Sequence, residues 1–269
     1  MYYFILVIIG LFGVLIGSFL NVVILRFDTE EHFWQGRSHC MKCNHVLEWY
    51  DLFPLFSFLF LRGKCRYCGV PLSWQYPLVE AFTSLMAILT FVSIIPSERA
   101  LLLISWPDVV RLGFSWLLMA QLIVIFVYDL KYMLIPEITL RIVQALGIVW
   151  VIYQSILLGG LYSGVWTGLA LALAIFALYV GTKKQGMGFG DVELILGLGF
   201  FVLFVDAFLF FFLSFLIGSV WGIGLLLATR KKSLKVKMPF GPSIILAFWV
   251  VFLVVPRVPL LQMLRYMIQ

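Results

Sequence analysis

Residues 192–229 are 38 consecutive positions in which Glu193 and Asp206 are the only charged side chains. A helix needs about 20 apolar residues to cross a bilayer. The run is therefore too long for one crossing and asks for two. The break falls near Asp206, where a tight turn at the far surface would let the carboxylate reach water. The crossing before it would be short, with the bilayer thinned locally around it. Similar runs recur along the chain, and eight spans are expected, roughly 2–25, 77–95, 109–128, 138–158, 161–181, 192–205, 207–229 and 241–258. Composition agrees: 12% of the residues are charged and 63% hydrophobic, against roughly 25% charge in a soluble domain. The expected fold class is an all-α polytopic membrane protein of about eight transmembrane helices.

The first run, Tyr2 to Leu25, has no basic stretch before it and no small-residue cleavage site after it. It reads as a retained span, not a signal peptide. Gly13 and Gly17 stand four apart within it, a face for close helix packing, and Asn21 is expected to hydrogen-bond a neighbour. With eight spans, one side of the membrane collects fifteen of the nineteen Lys and Arg residues. That side is cytoplasmic by the positive-inside rule, and both termini lie outside. The net charge of +6 thus reports topology and lipid contact, not nucleic-acid binding. The run Arg230–Lys237 reads as an anchor on anionic lipid, and Pro239-Phe240-Gly241-Pro242 as a rigid turn into the last span.

The expected domains are a first transmembrane helix (1–25), a cytoplasmic loop domain (26–76), a seven-helix membrane catalytic core (77–260) and a C-terminal tail (261–269). The loop domain is too small to fold on a core alone without a staple. It holds all four cysteines, as Cys40-Met41-Lys42-Cys43 and Cys65-Arg66-Tyr67-Cys68. Two CxxC pairs at this spacing suit a tetrahedral four-cysteine zinc site, structural because no coordination position stays open. Lys42, Lys64 and Arg66 would favour the thiolates, and a reducing cytoplasmic location disfavours disulfides. His39 and His45 are expected to be ordinary polar surface. The apolar stretch Trp49 to Leu61 would dip into the membrane interface or pack on the membrane core. Glu80, just inside the second span, reads equally as a functional acid or as a group at headgroup level.

Two acids mark span ends on the cytoplasmic side. Asp129 closes the third span, and Asp191 opens the sixth behind Gly188 and Gly190. A carboxylate at such a boundary is costly unless it is used, and glycines let another chain approach closely. Two carboxylates together can hydrolyse a peptide: the ionised one takes a proton from the attacking water, and the protonated one polarises the scissile carbonyl. Asp129 and Asp191 are therefore the candidate catalytic pair of an aspartyl protease. The alternative from another class is a proton- or ion-coupled transporter or an assembly scaffold. The absence of paired broken helices in matching halves disfavours it.

Six blocks in order resemble the type IV prepilin peptidase family, a branch of the GxGD membrane aspartyl proteases. They are Gly17-Ser18-Phe19-Leu20-Asn21-Val22-Val23-Ile24-Leu25-Arg26, the two CxxC pairs with Trp49-Tyr50-Asp51 and Leu61-Arg62-Gly63-Lys64 around them, Tyr76-Pro77-Leu78-Val79-Glu80, Asp129 through Pro136, Gly188-Phe189-Gly190-Asp191, and Pro239-Phe240-Gly241-Pro242. The resemblance implies a multi-pass protein of the bacterial plasma membrane with Asp129 and Asp191 as its catalytic dyad. It implies removal of a short basic leader from prepilins or pseudopilins, followed by N-methylation of the new N-terminus with S-adenosylmethionine. No glycine-rich nucleotide fingerprint follows a strand, so no donor-binding residues are assigned. This chain departs from the family pattern at Glu193 (usually Lys), Glu137 (usually Asp) and Met41-Lys42 (usually containing Pro). Glu137, Glu193 and Glu48 are candidate contacts for a basic leader. The presenilin-type GxGD proteases share the two aspartate motifs, but the zinc loop and the cytoplasmic aspartates fit prepilin processing better.

Overall fold

The computed structural model describes residues 1–27, 36–183, 187–229 and 238–254. Gly186, the basic run Arg230–Lys237 and the tail 261–269 lie outside the described residues. Among the described residues the secondary structure is helical, apart from two isolated bridges, His39 to Val46 and Lys64 to Pro71. The helices are α1 (Tyr2–Arg26), α2 (Phe56–Phe60), α3 (Gln75–Ile94), α4 (Glu98–Leu102), α5 (Trp106–Tyr132), α6 (Glu137–Leu158), α7 (Gly164–Gly181), α8 (Phe189–Gly199), α9 (Ala207–Thr229) and α10 (Gly241–Trp249). Six segments among the described residues are long and apolar enough to cross a membrane: α1, α3, α5, α6, α7 and Phe204–Leu227. The chain is an all-α, multi-pass membrane protein.

The segment expected at 192–205 differs. Its helix, α8, begins earlier and has 11 residues, about 16 Å at 1.5 Å per residue, short of a hydrocarbon core of about 30 Å. A Cβ on Gly199 would stand 2.5 Å from the Gly168 Cα, so α8 ends against the backbone of α7. The turn expected near Asp206 is present as Phe204–Asp206. Asp206 itself is buried, at 6% exposure, not exposed to water as the sequence suggested: the turn that carries it packs against α7 and α9.

The chain folds as two compact units, Met1–Val124 and Ile125–Gln269. The first is organised by α1 against α3. A Cβ on Gly13 would fall 2.7 Å from the Ser84 Cα, and one on Gly17 2.7 Å from the Glu80 Cα. These two glycines therefore let the backbones touch, as their spacing predicted. Asn21 donates to the Tyr76 carbonyl at 3.1 Å, and the Tyr2 hydroxyl to the Ile95 carbonyl at 2.7 Å, so the pair is tied at both ends. Gly13→Ala should destabilise this unit by roughly 1–3 kcal/mol through overpacking. Gly113→Ala in α5, where a Cβ meets nothing within 4 Å, should be neutral or stabilise by up to about 1 kcal/mol. Thermal midpoints of the two variants in detergent, moving in opposite directions or one only, check the contrast.

Candidate active site

Asp129 stands one turn before the end of α5. That helix stops because Met133 adopts a left-handed φ of 56°, and its N–H closes on the Asp129 carbonyl at 2.9 Å. Ile135 and Pro136 then lead into α6, with Pro136 extended at the cap, as a prolyl ring allows. Asp191 is the third residue of α8. Its carboxylate accepts the Gly188 N–H at 3.1 Å, satisfying one of the amides that a helix start leaves unpaired. Negative charge is favoured at that end of a helix.

The fold brings the two acids together within the second unit. Asp129 is 4% and Asp191 7% exposed, and the Asp129 charge is felt at Asp191. Asp129 Oδ2 is buried, and the Gly241 N–H faces the Asp129 carboxylate as a donor. The start of α10 lies against it, for a Cβ on Gly241 would come 2.5 Å from that oxygen. Ile135 packs beside both elements, its Cδ1 3.6 Å from a Cβ at Gly241 and 3.4 Å from one at Gly190. Gly188 itself is extended, with φ −79°, and Gly190 is not among the residues of positive φ. Neither glycine is required by its backbone conformation. Chemically, the site offers two buried carboxylates, each facing one backbone amide, Gly188 at Asp191 and Gly241 at Asp129, in surroundings that exclude bulk water.

The three glutamates expected to meet a basic leader are each engaged already. Arg141 pairs with Glu193 at 3.0 Å and with Glu137 at 3.4 Å, and Gln144 donates to the Glu193 carbonyl at 3.3 Å. Glu48 pairs with Arg37 at 3.2 Å. The carboxylate at 193 is thus balanced by Arg141 and ties α8 to α6.

The four cysteines form a separate centre in the first unit. Their sulfurs all lie within 4.8 Å of one another, with 3.9 Å between the Cys40 and Cys68 Sγ atoms and no disulfide. A tetrahedron with Zn–S bonds of about 2.3 Å has S···S edges near 3.8 Å, so the set fits such an ion. Each pair sits on the same kind of turn: Cys40 N–H bonds the His45 carbonyl and Cys65 N–H the Val70 carbonyl, at 3.0 and 2.9 Å. The residue after each pair, Asn44 or Gly69, has positive φ. Burial opposes ionisation of Cys40, but the backbone N–H groups of Cys43 and Lys42 outweigh it and bring the thiol down to about 6. The expected help from Arg66 is not used there. Arg66 Nε bonds Asp51 Oδ1 at 2.7 Å, and the Tyr67 hydroxyl donates to Asp51 Oδ2 at 2.9 Å. His45 stacks on Tyr67, centroids 3.6 Å apart, and is no ligand.

Asp51, read from sequence only as part of a family block, is therefore the strut between this turn and the segment before α2. Its side chain is 3% exposed. Burial raises its pKa, yet the bonds from Arg66, Tyr67 and the Glu48 amide prevail and hold it below the usual carboxylate value. The sign follows: a depressed folded value stabilises above the unfolded value, about 3.9, and the stabilisation fades as pH falls through the folded value. Wild type should thus be more stable than Asp51→Asn at pH 7, and the gap should close below about pH 4, as read by protease nicking of the loop.

A polytopic helical membrane protein with two buried acids converging from separate helices of one unit, and a four-cysteine cluster in the other, is the class that fold and site define. Residues 11–94 match the bacterial peptidase A24 N-terminal domain and residues 116–223 the type IV leader peptidase family. The chain belongs to the type IV leader peptidase family, and it is a peptidase. It is 33% identical over 274 residues to a prepilin leader peptidase/N-methyltransferase of Aeromonas hydrophila, covering 90% of this chain and 88% of that one. It is 32% identical over 275 residues to the same-named protein of Aeromonas salmonicida (strain A449), covering 90% and 88%. It is 31% identical over 278 residues to that of Xanthomonas campestris pv. campestris, covering 89% and 88%. No solved structure matches the chain.

Proposed function

We propose that this protein removes the leader from prepilins or pseudopilins and then N-methylates the new N-terminus, with Asp129 and Asp191 as the catalytic pair and Gly188 and Gly190 admitting the substrate. The observation that carries the reading is the convergence of two buried carboxylates on one site in a chain whose relatives bear that name. One carboxylate, ionised, takes a proton from a water as its oxygen attacks the scissile carbonyl. The other, protonated, donates to the carbonyl oxygen. Collapse of the tetrahedral intermediate breaks the C–N bond and returns a proton to the leaving amine. The two acids titrate as one unit, so neither role is fixed to one residue beforehand.

Cys40, Cys43, Cys65 and Cys68 hold a structural zinc ion in this reading, and S-adenosylmethionine supplies the methyl group. The protein sits in the bacterial plasma membrane with the site and the cysteine loop cytoplasmic and both termini outside. The domain plan is 1–25, 26–76, 77–260 and 261–269. A basic leader reaches Glu137, Glu193 or Glu48 only by displacing Arg141 or Arg37, an exchange of one cation for another. The test is wild-type protein in liposomes given a full-length prepilin and S-adenosylmethionine, with the product read by mass spectrometry. A single cut between leader and apolar segment, plus the mass of one methylene, is expected. Cuts within the apolar segment would point to a presenilin-type protease, and no cut would contradict the reading.

A further inference from the structure

The unit Met1–Val124 contains a cavity of about 460 Å³ that peptide cleavage does not use. Sites for drug-sized ligands span about 300–1,000 Å³, mostly apolar with a few converging polar groups. Here Phe53, Phe58 and Tyr76 belong to the apolar lining; the charged lining is Glu80 and Asp51 with Arg26, Lys42 and Arg66, of which Arg66 is taken by Asp51. Glu80 is 6% and Asn21 1% exposed. Glu80 Oε2 accepts the Leu55 N–H at 2.7 Å, and the Ser18 hydroxyl faces the carboxylate. No cation pairs with Glu80 among the described residues. A carboxylate buried in a membrane helix is expensive, and its presence marks a function or a charged partner.

The chain opposite Glu80 is strained. Leu55 has φ 59° and ψ −49°, and the Phe56 N–H reaches back to the Pro54 carbonyl at 2.6 Å. This is the rare, strained form of γ-turn, on a leucine. Glu80 holds it through the Leu55 amide. Strain of this kind persists where the surroundings enforce it and gathers at ligand clamps. The cavity thus has a size, a buried carboxylate that no cation pairs with among the described residues and a clamped wall, all within one compact unit.

We propose that this cavity binds the methyl donor, S-adenosylmethionine, with Glu80 against its cationic portion and the aromatic lining against its purine. The proposal rests on the N-methyltransferase reading above and gives that activity a site. In the transfer, the lone pair of the substrate's free α-amine attacks the donor methyl. The N–C bond forms as the S–C bond breaks, its electron pair stays on sulfur to leave a neutral thioether, and the amine sheds one proton to solvent. Glu80 balances the sulfonium charge of the bound donor and takes no proton. Ser18, whose hydroxyl bonds the Glu80 carboxylate, positions it and is not assigned to the transfer.

The same chemistry, a cation carried on a partly apolar body, also describes a zwitterionic lipid headgroup, and the experiment separates the two. Full-length wild type, Glu80→Gln and Val22→Trp are purified into nanodiscs, and S-adenosylmethionine binding is measured by calorimetry alongside the mass of the prepilin product. Glu80→Gln keeps an acceptor for the Leu55 amide but removes the charge. Val22→Trp fills the cavity, whose lining includes Val22, without touching the charge. Both are expected to weaken donor binding roughly tenfold or more and to release product that is cut but lacks the methyl. Cleavage and bound metal report that each variant is folded. Wild-type donor affinity and methylation in both variants would overturn the assignment, as would a co-purified lipid that the donor cannot displace from the cavity. A wild-type protein that cuts without binding the donor or methylating would instead remove the N-methyltransferase reading itself.

Discussion

Gly241→Ala is expected to lower leader cleavage by about a hundredfold or more, the cost of a displacement near 1 Å at a reacting group, while the protein stays folded and inserted. A Cβ there would lie 2.5 Å from Asp129 Oδ2 and 3.4 Å from its Cγ, and an approach as short as the first does not occur without movement. The first turn of α10 cannot easily yield, because Pro242 follows directly and fixes its own φ. Ile135 closes the other side. The carboxylate is what moves, out of the position that its partner on α8 requires. The loss should fall on kcat with little change in KM, since the added methyl disturbs the reacting group rather than the surface that receives the leader. Gly190→Ala is the informative comparison, for its Cβ would meet Ile135 at 3.4 Å, an ordinary contact. A slower rate in that variant with an unchanged melting point would report substrate approach and not displacement of an acid.

The largest effect on stability is expected at the cysteines. Cys43→Ser, or removal of metal by a strong chelator, should unfold the two turns between residues 36 and 72, because the loop has little core besides its four sulfurs. The free energy of a structural zinc site is on the order of 10 kcal/mol, more than so small a segment can supply by packing. The loop leaves Trp49, Phe56, Leu59 and Phe60 exposed, so its own apolar burial is meagre. Metal content by elemental analysis should fall from one ion per chain to none, and protease should then cut the loop. A loop that resists protease with no metal bound would contradict the assignment.

The spans were legible because lipid permits few alternatives. A chain with runs such as Tyr2–Leu25 must satisfy its backbone within each segment, and helices do so. The cysteine spacing was equally direct, since two ligands one turn apart leave little else to build. The closeness of α1 and α3 could be read from Gly13 and Gly17. What escaped the sequence depended on neighbours distant in the chain. The length of α8 is set where Gly199 meets Gly168, and a hydropathy window carries no trace of that meeting. Asp206 was placed in water because an acid in an apolar run suggests a surface turn, whereas the side chain is buried. Lys42, Lys64 and Arg66 looked like the source of thiolate stabilisation. Backbone amides act on Cys40, and Arg66 is drawn away by Asp51. Glu137 and Glu193 looked available for a leader, but Arg141, which belongs to neither motif, lies between them. Gly241 stood in the sequence as a turn residue in Pro239-Phe240-Gly241-Pro242. Its closeness to Asp129 gives that turn a second reason to contain a glycine.

The claim at the centre of this account is that Asp129 and Asp191 act as one pair. Cleavage of a full-length prepilin by wild type, Asp129→Asn and Asp191→Asn, followed by mass spectrometry, tests it most directly. Asparagine keeps the size and polarity of each side chain but cannot take up or release the proton. The account predicts that each single variant loses cleavage by about a thousandfold or more, that the double variant is no worse than either, as for residues that act as a unit, and that bound metal and melting behaviour are unchanged. Full cleavage by either asparagine variant would contradict it.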